Sequence, residues 1–161
     1  MGSFHKDIKR GAIGEKVVLD FLEKECPELV FKKRPGKFKD WDIEEVRKDG
    51  KQGVTIEVKY DEMSEKSGNI CVEVSNGSEL TGIYASKAEA VYYVIPHGKK
   101  FDIYIFHRED FLKYIKDNPG KFRAVQGGDN WKFSLLLIKQ SEILKDIDQI
   151  GRKLTWDMPQ D

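Results

Sequence analysis

The stretch Val54-Thr55-Ile56-Glu57-Val58-Lys59-Tyr60-Asp61 sets an acid and an amine two residues apart in a run where β-branched and aromatic residues alternate with polar ones. That alternation is the mark of a strand, whose side chains point to opposite faces in turn. Glu57 and Lys59 therefore share one face, and Ile56 and Val58 the other. Upstream, Trp41-Asp42-Ile43-Glu44-Glu45-Val46 reads as a second strand, joined to the first through a Lys48-Asp49-Gly50-Lys51 hairpin turn. An acid at the head of one strand beside an acid–x–lysine on the next suits a metal site of oxygen ligands with a lysine poised next to it. The Glu57–Lys59 doublet taken alone reads first as a salt bridge on an exposed sheet face, worth about 0–1 kcal/mol.

A third acid comes from the chain's first element. Residues 6–25 predict a helix, with Ile8, Ala12, Leu19 and Leu22 at helical spacing and Pro27 ending the run. Glu15 falls between Leu22 and Ile8 on that stripe, and Ile13, Val17 and Phe21 occupy much of the opposite side, so the helix is expected to be well buried. A carboxylate in such a stripe is costly unless it is paired or metal-bound. It is either a glutamate that snorkels or meets a core lysine, or a further acid of the site. Glycines in Gly11-Ala12-Ile13-Gly14 weaken the helix by roughly 1 kcal/mol each relative to alanine. They also allow a strand or a phosphate backbone to come close.

Cations gather beside these acids. Lys32, Lys33, Arg34, Lys37 and Lys39 crowd the segment before the Asp42 strand, with only Asp40 opposing them locally. The cluster is either a solvated loop or a cationic approach for a polyanion. A formal net charge of zero argues against a generic basic nucleic-acid coat, so any such partner must be met locally. Ser86-Lys87-Ala88-Glu89 has capping-box form, which predicts a short helix starting at Ser86. Lys87 at its start would meet a phosphate or simply face solvent. Trp41, Tyr60 and Tyr84 are candidates for base stacking or for the core.

The remaining pattern supplies supporting elements. Strands are predicted at 29–32, 70–74, 91–95 (closed by Pro96), 101–106, 122–125 and 131–138. Helices are predicted at 108–116 and from Ser141 through Ile147, and the tail from Trp156 is left as a docking or disordered segment. At 161 residues, with no repeat and no boundary, this is one α/β domain, in which 97–161 elaborates the part before it. Two distant cysteines, Cys26 and Cys71, and scattered His5, His97 and His107 lack zinc-ligand spacing, so oxygen ligands are expected. The cysteines fit free thiols in a reducing compartment. No apolar run spans a bilayer and the start is unlike a signal peptide, so a cytoplasmic location is expected.

The order helix glutamate, strand aspartate, then Ile56-Glu57-Val58-Lys59 resembles the PD-(D/E)XK nuclease superfamily, with Gly14-Glu15 in its first-helix position. The small size and that helix look like Holliday-junction resolvases and phage-encoded nucleases, and Gly82 through Ser86-Lys87-Ala88 to Val94 is similar to the latter. No proline precedes the acid, leaving Asp42 or Asp40 as the ligand; Asp42 is preferred because a hydrophobic residue follows it. The resemblance implies a restriction-endonuclease-like fold, a mixed central sheet flanked by helices. It implies a metal-dependent endonuclease that hydrolyses DNA phosphodiesters, with Glu15, Asp42, Glu57 and Lys59 as the catalytic set. Asp42 and Glu57, with Glu15 through a water, would hold Mg²⁺ or Mn²⁺, and the Val58 carbonyl would add a ligand. Asp61 and Glu73 are spare acids nearby. DNA would be met by Lys32, Lys33, Arg34, Lys37, Lys39 and Lys87, a homodimer is implied, and the compartment is a host cytoplasm if the protein is phage-encoded. The alternative is a non-catalytic nucleic-acid-binding module that kept the fold.

Overall fold

The computed structural model describes residues 2–36, 38–127 and 132–157, with the side chains of the first helix described from residue 9 onward. That helix, α1 (Gly2–Glu25), leads into β1 (Phe31–Lys33), β2 (Ile43–Glu45) and β3 (Thr55–Tyr60), in the predicted order. A short α2 (Met63–Ser67), β4 (Asn69–Ser75) and α3 (Gly82–Ala85) follow before β5 (Ala90–His97) and β6 (Lys100–His107). The chain closes with α4 (Arg108–Asp117), β7 (Arg123–Gly127), β8 (Phe133–Lys139), α5 (Gln140–Lys145), α6 (Ile147–Ile150) and β9 (Gly151–Trp156).

The central sheet is mixed and runs β1-β2-β3-β5-β6-β9. Only β3 and β5 pair in parallel; every other neighbour is antiparallel. A second sheet, β4-β8-β7, lies apart from it. Alternation along β5 shows how the layers form. Val91, Tyr93 and Ile95 enter one core with the second sheet, α4 and the short C-terminal helices, while Tyr92 and Val94 enter another with α1. The central sheet is thus covered on both faces, the mixed α/β architecture that the sequence predicts. Residues beyond 97 supply β6 and β9 to the central sheet and β8 and β7 to the second, where β8 pairs with β4 and β7 with β8.

Three local expectations need correction. The first helix buries one stripe, not two sides: Val17, Val18, Phe21 and Leu22 are inside, whereas Ala12 is exposed and Ile13 is 41% exposed. Gly14 belongs to the inner stripe. A Cβ there would stand 3.1 Å from Tyr60 Cβ and 3.2 Å from Val58 Cγ1, so glycine lets α1 lie close against β3.

The tail is the second correction, because Gly151–Trp156 is an edge strand paired with β6 and Trp156 is buried against Phe21. Third, Pro96 does not close β5. The N–H and C=O of Val94 face β3, so those of Pro96 do too, but β3 has ended there and the missing N–H costs no rung. Trp131, predicted at the start of a strand, lies outside the described residues. Among the described residues no helix is long and apolar enough to cross a membrane.

Candidate active site

The β2–β3 hairpin forks at Asp42. Its backbone N–H still donates to the Ile56 carbonyl (2.9 Å), continuing the ladder past Ile43. At the next rung the side chain takes over: Val58 N–H donates to Asp42 Oδ2 at 2.8 Å. A residue's N–H and C=O leave a strand on the same side, so the Val58 carbonyl also faces Asp42. Asp42 Oδ1 has no hydrogen bond among the described residues.

Beside the fork, Lys59 Nζ lies 3.2 Å from Glu57 Oε1, on a shared strand face as the alternation requires. The pair is not the exposed salt bridge of the simplest reading, since the Glu57 side chain is only 12% exposed. Burial pushes the Glu57 carboxyl up from its ordinary range; the Lys59 ammonium opposes this and the neighbouring Asp42 charge adds to it. Burial likewise pushes Asp42 up, against the pull of Val58 N–H, Lys59 and Lys33. Two acids that disfavour each other's charge are held together where β2 meets β3, inside the central sheet.

Ser86 is a site residue that sequence reasoning missed. The predicted helix beginning there does not exist: α3 ends at Ala85, Ser86 is extended, and no helix forms before β5 starts at Ala90. The helix instead opens at Gly82, whose φ of 58° suits glycine. Glu89 N–H donates to Thr55 and so begins the β5 ladder, which removes the capping-box partner. Ser86 is buried, with its hydroxyl 2.9 Å from the Asp40 carbonyl and 3.2 Å from Glu57 Oε2. Lys87 N–H also donates to that carbonyl. The segment carrying Asp42 is therefore pinned to the one that steadies Glu57. A buried-strand lead-in at Ala88 was the available clue, but the capping pattern masked it.

Glu15 stands apart. Its side chain is 17% exposed and its Oε2 lies 2.6 Å from Lys33 Nζ. Lys33 is directly opposite Ile43, whose side chain packs in the α1 core, so this ion pair sits on the α1 side of the sheet. Ile56 and Val58 face that side too, which sends Glu57 and Lys59 to the other. Lys33 is the link, close enough to favour the charged form of Asp42.

The other expected cations are largely engaged. Lys32 and Arg34 approach Glu44 at 3.7 and 3.3 Å, and Lys87 lies 4.0 Å from Asp40. Lys39 is exposed and has no ion pair among the described residues; Lys37 lies outside them. Lys87 follows α3 and meets no helix N-terminus. Of the spare acids, Asp61 spends its oxygens on Ser64 and Cys71 N–H groups, and Glu73 packs beside Gly82.

Among the described residues no group of three or more His, Cys, Asp or Glu is set to hold a metal. The donor pair nevertheless fits magnesium, which is commonly bound by one or two carboxylates, with waters and substrate phosphates completing its shell. A cavity of about 1050 Å³ between the sheets, bordered by Ser64, His97, Asp102 and Gln140, includes none of these acids. No family model, curated protein or solved structure significantly matches this chain.

Proposed function

We propose that this protein is a metal-dependent DNA endonuclease of the PD-(D/E)XK kind, a phosphodiesterase acting on branched or phage DNA. The observation that carries the reading is the meeting of Asp42, Glu57 and Lys59 at one fork in the sheet, two half-buried acids with a lysine in contact. Buried carboxylates with raised pKa values call for a cation, and such sites are enriched in chemistry.

Asp42 Oδ1, Glu57 and the Val58 carbonyl would hold Mg²⁺ or Mn²⁺. When bound, the ion supplies an activated water and neutralises charge on the phosphate. Lys59 orients that water and stabilises negative charge developing on the phosphoryl oxygens. Ser86 keeps the Glu57 carboxylate turned toward the fork. Glu15 acts through Lys33, fixing an ammonium beside Asp42. Lys32, Arg34, Lys37, Lys39 and Lys87 border the fork in sequence or space and supply the cationic approach for DNA. The resemblance to junction resolvases supports a homodimer, and the free thiols Cys26 and Cys71 support a cytoplasmic setting, a host's if the protein is phage-encoded.

Purified protein incubated with duplex, single-stranded and four-way-junction DNA tests this reading. Cleavage should need Mg²⁺, stop in EDTA, and disappear in Asp42→Ala and Lys59→Ala. Full activity in either variant, or none on all three substrates, rejects it. The engagement of Glu15 by Lys33 favours one other reading, a non-catalytic nucleic-acid-binding module. That module would bind DNA salt-sensitively, with no response to metal or to the acid substitutions.

A further inference from the structure

Two aromatic rings beside the fork belong to neither core. Phe38 and Trp41 are half-buried, yet among the described residues they pack with neither the α1 core nor the core of the second sheet, whereas Tyr60 and Tyr84 do. Their rings meet edge to face with centroids 5.0 Å apart. The Arg34 guanidinium lies 4.1 Å from the Phe38 ring centroid. Glu44 ties Trp41 and Arg34 to one carboxylate: Oε2 accepts the Trp41 indole N–H at 3.1 Å and Oε1 accepts from Arg34 at 3.3 Å. The partially exposed rings and cation are thus held in fixed relation before any ligand arrives.

This arrangement has the parts used to seize an unpaired nucleobase. A base offers a π-face to an aromatic ring regardless of sequence, and a nearby arginine adds cation–π attraction and a phosphate contact. In a continuous duplex both faces of each base are covered by neighbours, so only an unstacked base can use such a platform. Trp41 also adjoins Asp42 in the chain, and the backbone just before it is pinned at the Asp40 carbonyl to Ser86 and Lys87. A base stacked here would sit next to the phosphate at the fork.

We infer that Phe38, Trp41 and Arg34 form a base-stacking platform that selects single-stranded segments of nucleic acid, such as flaps or junction arms, over continuous duplex. The inference rests on the nucleic-acid reading of the site but not on cleavage.

The test is equilibrium binding in EDTA, so that catalysis plays no part, using a labelled thymine oligonucleotide of about 12 nucleotides and a duplex of equal length. Phe38→Ala and Trp41→Ala should each weaken single-strand binding about 10-fold while changing duplex binding less than about twofold. Trp41→Phe, which keeps an aromatic face, should retain most of the affinity. As a measurement independent of variant folding, an oligonucleotide carrying 2-aminopurine should lose fluorescence on binding the wild-type protein as its base stacks. Equal losses on duplex and single strand, unchanged single-strand affinity, undiminished 2-aminopurine emission, or no binding at all would each overturn the platform. If single-strand preference responds as expected while single-stranded, duplex and junction DNA all show no metal-dependent cutting, the platform stands and the nuclease reading falls.

Discussion

Strand β3 and its continuation carry two kinds of buried acid, and their partners tell them apart. Asp61 accepts Ser64 N–H at 3.0 Å on one oxygen and Cys71 N–H at 3.2 Å on the other, stitching α2 and β4 to the end of β3. Burial raises its pKa and those backbone donors lower it. Glu57 and Asp42 are raised by burial in the same way, but their surroundings differ. Glu57 meets a lysine and a hydroxyl, and Asp42 keeps one oxygen unbonded among the described residues. A carboxylate whose oxygens both close backbone gaps is committed to structure. Carboxylates facing mobile donors, one another and a lysine retain capacity for a ligand.

Substitution should separate the two kinds sharply. Asp42→Ala and Lys59→Ala should lower metal-dependent cleavage by about 10²–10⁴-fold, the usual reach of such groups, while leaving the unfolding midpoint within a few degrees. Asp61→Ala should do the reverse. Orphaning two backbone N–H groups should cost on the order of 2–4 kcal/mol of stability, with turnover per folded molecule preserved. Urea unfolding and single-turnover cleavage on the same preparations measure both quantities. A stable but inactive Asp61→Ala would erase the distinction.

Metal binding gives a second, smaller contrast. If Asp42 and Glu57 hold Mg²⁺, the ion should stabilise the native protein by about 2.7 kcal/mol at 100 times its dissociation constant. Thermal unfolding with and without Mg²⁺ should show the gain in wild type and in Asp61→Asn, and its loss in Asp42→Ala. A gain that survives in Asp42→Ala would move the ion elsewhere.

Much of this contrast was legible in the chain because strands write their faces directly. The period of two put Glu57 and Lys59 together, and the hairpin turn brought Asp42 to them. The helix was harder. Ile13 looked as apolar as Val17, but a helix lying on one sheet buries a single stripe, and only the contact of Gly14 with Tyr60 and Val58 reveals which. Glu15 could be read as snorkelling, meeting a core lysine or joining the site; it meets Lys33 of β1, a pairing that no local pattern announces. Lys32 and Arg34 seemed opposed only by Asp40 in the sequence because Glu44, their acid, sits across an antiparallel register. Ser86 misled because capping chemistry and strand entry use the same residues. The edge strand at Gly151–Trp156 was too polar to stand out, since one side of it faces water.

The smallest effect is on stability against pH, and its sign follows from the raised carboxyls. Asp42 and Glu57 have ordinary values of 3.8 and 4.5 and lie above them in the native state. Between those ordinary values and the raised native ones, the folded protein holds more protons than the unfolded chain. Their contribution is therefore fully present below the ordinary values and is lost as pH rises through the native ones. Asp61 acts in the same direction, while Glu44, held down by its hydrogen bonds to Trp41 and Arg34, acts oppositely, so the wild-type profile alone is a sum. The difference between wild type and Asp42→Asn reports the Asp42 charge together with the upward push it gives Glu57. Asparagine can still accept Val58 N–H yet carries no charge to bury. In EDTA, the variant should gain on wild type as pH climbs through the native Asp42 value and then hold a constant lead. Saturating Mg²⁺ should reverse the order, because the ion repays the charge that asparagine lacks. The same comparison at Asp61→Asn should show a pH-dependent difference that Mg²⁺ leaves untouched, since the oxygens of Asp61 are already spent on backbone donors.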